Sequence, residues 1–177
     1  MTGQISNTPH APTLDGRSAA TDVGLLVLRL IFGGMMFGHG CQKLFGWFGG
    51  DGWEKTTRLF AAMGYHPGAI FGPLAGLCQF TGGALLFLGL LTPLGAAITL
   101  GTMINAMNVT LHHGLMAAEG GLLFAAAAAA LAFTGPGRYS LDFGRPWERR
   151  GIAWGVGAVV LATVAALIAL SFKSTRA

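Results

Sequence analysis

Apolar positions in this chain run together over long stretches that charge seldom interrupts. Residues 59–118 contain no Asp, Glu, Lys or Arg, and neither do residues 120–137 or 151–172. Charge-free apolar runs longer than about 18 residues mark helices that cross a bilayer. Five such spans are predicted, over about 23–45, 67–91, 93–112, 117–134 and 151–172. At roughly 1.5 Å per residue each can cross a hydrocarbon core of about 30 Å, the fourth only just. Thr92-Pro93 sets the start of the third, since proline favours the first helical position after a threonine cap.

Between and around these spans the chain is short of material. Residues 1–21 are polar, hold Pro9 and Pro12 and lack a basic start or apolar core, so they predict a disordered tail and not a cleavable signal. Residues 22–143 read as a four-helix membrane domain, and residues 144–177 as an Arg-rich loop, a fifth spanning helix and a short basic tail. In the first connector, Asp51-Gly52-Trp53-Glu54 has the form of a capping box. Trp53, Leu59, Phe60 and Met63 then oppose Glu54, Lys55 and Arg58, which predicts an interfacial amphipathic helix over 51–64. The two loops between spans two and four are very short, so consecutive helices run antiparallel. The expected fold is all-α: an up-down four-helix transmembrane bundle with a fifth C-terminal helix at its edge. Glycines four apart (Gly34 and Gly38, Gly72 and Gly76, Gly151 and Gly155) are the expected sites of close helix approach.

Composition sharpens this picture and removes alternatives. The chain of 177 residues is 53% hydrophobic and 10% charged, where a soluble domain carries roughly 25% charge. Its net charge of +4 comes from no groove-sized basic stripe with interleaved aromatics, so nucleic acid is not an expected partner. Arg138, Arg145, Arg149 and Arg150 instead share one loop between apolar runs, a topology signal. Basic residues divide equally between the two sides, and the density of that loop favours an N-terminus inside and a C-terminus outside. Cys41 and Cys78 lie in apolar surroundings with no CxxC or zinc spacing, so buried thiols and no metal are expected.

Antiparallel threading brings the polar residues of separate spans to one membrane face. His39 and Lys43 end span one, His66 precedes span two, His112 and His113 end span three, and Glu119 opens span four. Intramembrane ionisable residues are costly and commonly line a functional cavity. Gln42 sits between His39 and Lys43, and Gln79 lies midway down span two. Asn105, Asn108 and His112 form a stripe at i, i+3 and i+7, and Glu119 is a natural counter-charge for Lys43 or a histidine. The expected site is a polar pocket walled by spans one to four, with the interfacial helix over its mouth. Each residue also has a plain structural use: lysine snorkelling, histidines meeting water, asparagines bonding between helices. Arg29 threads to the other side, about a third of the way in, where either Asp22, seven residues earlier on the same helical face, or a water-filled crevice would accommodate its charge.

Arg29-Leu30-Ile31-Phe32-Gly33, followed by His39-Gly40-Cys41-Gln42-Lys43-Leu44-Phe45-Gly46-Trp47-Phe48-Gly49-Gly50, resembles the opening motif of DoxX proteins. Gly135-Pro136-Gly137-Arg138-Tyr139-Ser140-Leu141-Asp142 is similar to the segment that closes the fourth helix in that family. The resemblance covers about 23–143 and implies a four-helix bundle of the bacterial cytoplasmic membrane. It also implies a subunit of a quinone-linked oxidoreductase complex, with Arg29, His39 and Lys43 at motif positions.

The leading expectation is therefore a membrane subunit of a redox complex, with a protein partner and possible self-association. Its pocket, formed by Arg29, His39, Gln42, Lys43, Gln79, Asn105, Asn108, His112 and Glu119, would bind a quinone or a small sulfur compound. No flavin, nicotinamide or iron–sulfur fingerprint is present, so electrons would come from a partner. Three alternatives stand beside it: a scaffold anchoring a soluble enzyme through the Arg-rich loop, a small-solute transporter, and haem ligation by His39 with His112 or His113.

Overall fold

The computed structural model describes residues 19–174. Of the expected polar tail over 1–21, only Ala19, Ala20 and Thr21 fall among them, and they already belong to the first helix. The helices are α1 (Ala19–Phe45), α2 (Gly52–Ala62), α3 (Gly68–Leu88), α4 (Thr92–Thr110), α5 (Glu119–Thr134) and α6 (Ile152–Ser171). All but α2 are long and apolar enough to cross a membrane, α4 and α5 with the single turns Leu111–His113 and Met116–Ala118 that adjoin them. Their outward faces carry exposed Val, Leu, Ile and Phe, as helices solvated by lipid tails must.

Without a hydrophobic drive inside a bilayer, helices associate where small residues let backbones touch. The tightest seam joins α1 to α3. A methyl on Gly33 would lie 2.5 Å from the Phe87 backbone nitrogen, and one on Gly40 or Gly83 would overlap the backbone at Phe80 or Phe37. The working pair in α1 is thus Gly33 and Gly40, seven apart. At Gly34 and Gly38, the expected contact positions, a methyl would meet only the Phe87 ring or nothing. A helix has several glycine stripes, and sequence spacing does not say which one faces the neighbour. Gly72 serves a different contact, against Thr56 and Thr57 of α2, while Gly76 meets Leu44 and Lys43 of α1. Gly101 lets α4 approach Ala162 of α6, and Gly155 of α6 lies under Phe133.

The start of α4 is built differently from its sequence signal. Pro93 does lie in the first turn, but Thr92 is the first helical residue and not the cap. The capping oxygens come from Asp142, fully buried. Its carboxylate accepts from Leu91 N–H at 2.9 Å, Thr92 N–H at 3.0 Å and the Thr92 hydroxyl at 3.0 Å. A negative charge at a helix N-terminus is favoured by the orphan N–H groups and the helix dipole. Leu141 and Asp142 also donate their N–H groups to Leu88 and Gly89, so the segment after α5 lies across the α3–α4 turn. The capping box at α2 does not form either. Asp51 makes no cap bond and pairs with Lys55, and Glu54 faces Arg58 at 3.7 Å. Helix α6 packs on α4 and α5, leaving a groove on the flank of α4 between α6 and α3.

Candidate ligand-binding site

Two adjoining cavities occupy that groove. The larger, of about 320 Å3, lies between α3, α4 and α6 and is walled by Leu74, Ala75, Cys78, Gly101, Ala166 and Ala169 among others. The smaller, of about 200 Å3, runs toward α1 and is lined by Lys43, Gln79, Ala106 and Thr110. Phe60, Tyr65, Ala75, Thr102 and Asn105 belong to both walls. Each cavity is small, and together they fall within the roughly 300–1,000 Å3 of ligand pockets. Small residues make this space, because Gly101, Ala166 and Ala169 leave empty what longer side chains would fill.

Tyr65 stands at the junction. The phenol donates to Asn105 Oδ1 at 3.2 Å, and Asn105 in turn donates from Nδ2 to Gly101 O at 3.0 Å. Its ring packs beside Phe60 and Phe71 and under Lys173 Nζ, 5.9 Å from the ring centre. Burial pushes the phenol above its ordinary value, so it remains a protonated donor at neutral pH. The end of α6 closes over it. His66 N–H donates to Phe172 O, Ser174 N–H donates to Gly64 O, and Lys173 Nζ donates to Asn108 Oδ1 at 2.8 Å. Below the junction Gln79, only 6% exposed, has a buried Oε1 with no hydrogen-bond partner. A buried amide oxygen left unpaired costs about 1–3 kcal/mol.

The sequence-derived site is divided by this geometry. Lys43, Gln79 and Asn105 line the cavities, and Asn108 holds Lys173 at their edge. His39 and Gln42 lie elsewhere, joined to each other at 2.9 Å, with the His39 ring edge-on to Phe124 of α5. His112 and His113 are exposed in the turn after α4, and Glu119 is exposed at the start of α5. Neither His39, His112 nor Glu119 lines either cavity. The expected stripe on α4 splits because the regular helix stops at Thr110, so His112 leaves its face. Among the described residues no three His, Cys, Asp or Glu side chains are grouped to hold a metal. Cys41 and Cys78 are free; Cys41 is fully buried, whereas Cys78 faces the larger cavity.

Arg29 is at the opposite end of the bundle and does not join the pocket. It is 1% exposed, and its guanidinium donates to Tyr139 O in the segment after α5. Gly89, left-handed at φ 63°, makes room for it where any side chain would collide. Asp22 makes no ion pair with it: Asp22 Oδ1 accepts from Arg138 N–H at 3.0 Å instead. The two motifs of the chain thus meet here, one supplying Arg29, the other the loop that Arg29 and the nearby Asp22 fasten.

Sequence reasoning overlooked Tyr65, Phe60, Cys78 and the whole α6 wall. A lone tyrosine at a span boundary was the available signal for the first. Nothing in the sequence tells which side of α4 the fifth span covers.

Comparison with known proteins follows the same lines. The sequence model of the DoxX family matches residues 24–114. Inner membrane protein YqjF of Escherichia coli (strain K12) is 33% identical over 132 residues, which cover 68% of this chain and 91% of that protein. No solved structure matches the chain.

Proposed function

The chain belongs to the DoxX family, and from that premise we propose that it is the membrane subunit of a redox complex that binds a lipid-soluble quinone in the paired cavities beside Tyr65. It is a multi-pass inner-membrane protein. One observation carries the reading: a largely apolar double cavity that contains the unpartnered carbonyl of Gln79 and the amine-bearing chain of Lys43. An apolar ring with polar oxygens on its edge satisfies both features. A small sulfur oxyanion would meet Lys43, but it brings no donor for Gln79 Oε1 and would forfeit its hydration in such walls.

The side chains have separable roles. Lys43 donates to a ligand carbonyl, and Gln79 Oε1 accepts from a ligand hydroxyl, so the site suits either oxidation state. Tyr65 and Asn105 hold each other and fix the partition between the two spaces. The larger cavity takes the apolar remainder of the ligand, with α6 as its outer wall. A quinone supplies reversible two-electron, two-proton chemistry, and electrons reach it from a partner protein.

Native mass spectrometry of the chain in mild detergent, titrated with a short-tailed ubiquinone, tests this. Gln79→Leu and Lys43→Met each weaken binding about tenfold, the worth of one polar contact in an apolar site. Equal binding by both variants and the parent would remove the quinone from these cavities, and no binding by the parent would leave a scaffold without a ligand.

A further inference from the structure

The end of the bundle remote from the cavities bears a surface that the quinone reading does not use. The segment between α5 and α6 is held at both ends and in its middle. Gly151 N–H donates to Phe133 O at 3.0 Å, Gly135 lies against Arg150, and Leu141 and Asp142 are bonded to the α3–α4 turn. On this fixed loop Arg138, Arg145, Arg149 and Arg150 are all exposed. Three of them lie over aromatic rings: Arg138 over Phe143 at 5.7 Å, Arg145 over Trp147 at 5.8 Å and Arg149 over Trp154 at 5.1 Å. Stacking occupies the flat face of a guanidinium and leaves its edge for an anion; in Arg149, Nη1 already donates to Pro146 O at 2.9 Å and Glu148 O at 3.3 Å, so Nη2 and Nε form its edge.

The acids of the loop offset only part of this charge. Asp142 is fully buried on the start of α4. Glu148 accepts from Gly144 N–H at 2.9 Å and faces Arg150 at 3.7 Å. Trp147, Trp154 and Tyr139 remain about half exposed beside the arginines, the pattern of rings that sit at headgroup depth.

We propose that this loop binds the phosphodiester headgroups of anionic phospholipid in its own leaflet. Charge complementarity selects that occupant. The surface offers rigid guanidinium edges where two spanning helices emerge, and phosphate is the anion that the surrounding bilayer presents at that depth. The half-exposed tryptophans cover acyl carbons next to the same headgroups, which a dissolved anion lacks.

Trp47→Phe and Trp53→Phe in the full chain leave Trp147 and Trp154 as the sole tryptophan reporters of the four present. That protein is placed in phosphatidylcholine vesicles containing phosphatidylglycerol, with bromine on the acyl chains of one lipid or the other. Brominated phosphatidylglycerol is expected to quench at a mole fraction at least about 25-fold lower than brominated phosphatidylcholine, the worth of two arginines at roughly fivefold each. Arg145→Gln with Arg149→Gln removes most of that preference. Lys at both positions keeps part of it, because charge persists without the planar fork. High salt weakens the preference in every form that retains it. Equal quenching by the two lipids overturns the proposal, as does a preference that survives both glutamines or ignores salt. Displacement by millimolar inorganic phosphate would also overturn it, by assigning the loop to a soluble anion. Should the glutamine pair fail to reconstitute, the lipid preference and salt response of the parent decide.

Discussion

Two adjacent glycines in α1 should respond to the same substitution with opposite signs. In Gly33→Ala the new methyl lies 2.5 Å from Phe87 N, 2.8 Å from Phe87 Cα and 3.0 Å from Gly83 O, all backbone atoms. Ordinary contact begins near 3.4 Å, so α1 and α3 must part by about 1 Å along a seam packed at interior density. Overpacking of this kind costs about 1–3 kcal/mol. In Gly34→Ala the methyl reaches only the edge of the Phe87 ring at 3.5 and 3.6 Å, an ordinary contact. There the helix-propensity gain of about 0.5–1 kcal/mol is left unopposed. The two variants therefore differ by roughly 1.5–4 kcal/mol, with the parent between them. Equilibrium unfolding in mixed micelles of rising dodecyl sulfate reads the difference directly. Coincident midpoints, or a more stable Gly33→Ala, would refute the assigned seam.

Two further outcomes follow from buried polar groups. Asp142→Ala leaves the N–H groups of Leu91 and Thr92 without their acceptor, at about 2–6 kcal/mol for the two, and lowers the thermal midpoint; Asp142→Asn restores part of it. In a Tyr139→Phe background the Tyr65 phenol ionises above the ordinary value of about 10, followed by its ultraviolet absorbance. A pKa raised by folding means that the native state holds the proton more tightly. The stability linked to it is full below about pH 10 and is lost as pH climbs through the folded value. Ionisation at the ordinary value would place Tyr65 in contact with water.

The spans were legible because a bilayer tolerates so few charges that their absence alone outlines a helix. Threading also assigned each polar residue to an end of the bundle, and Lys43 and Asn105 do share one cavity. What sequence could not supply was the direction each residue faces around its helix axis. That rotation turns Gly33, not Gly34, toward α3, and leaves His39 beside Phe124 while Lys43 enters the cavity. Capping failed for a related reason. Asp142 reaches Thr92 from 50 positions away, and local motifs are blind to a partner at that distance. The α6 wall depends on contacts with α4 through Gly101 and Ala162, two small residues with no signal of their own.

Photolabelling with a quinone that carries a diazirine on its tail measures the central claim most directly. The account predicts label in α3 and α6 peptides holding Cys78 and Ala166, competed by excess quinone and lost when Ala169→Phe fills the larger cavity. Competable label around His112 and Glu119 instead, unaffected by Ala169→Phe, would contradict it.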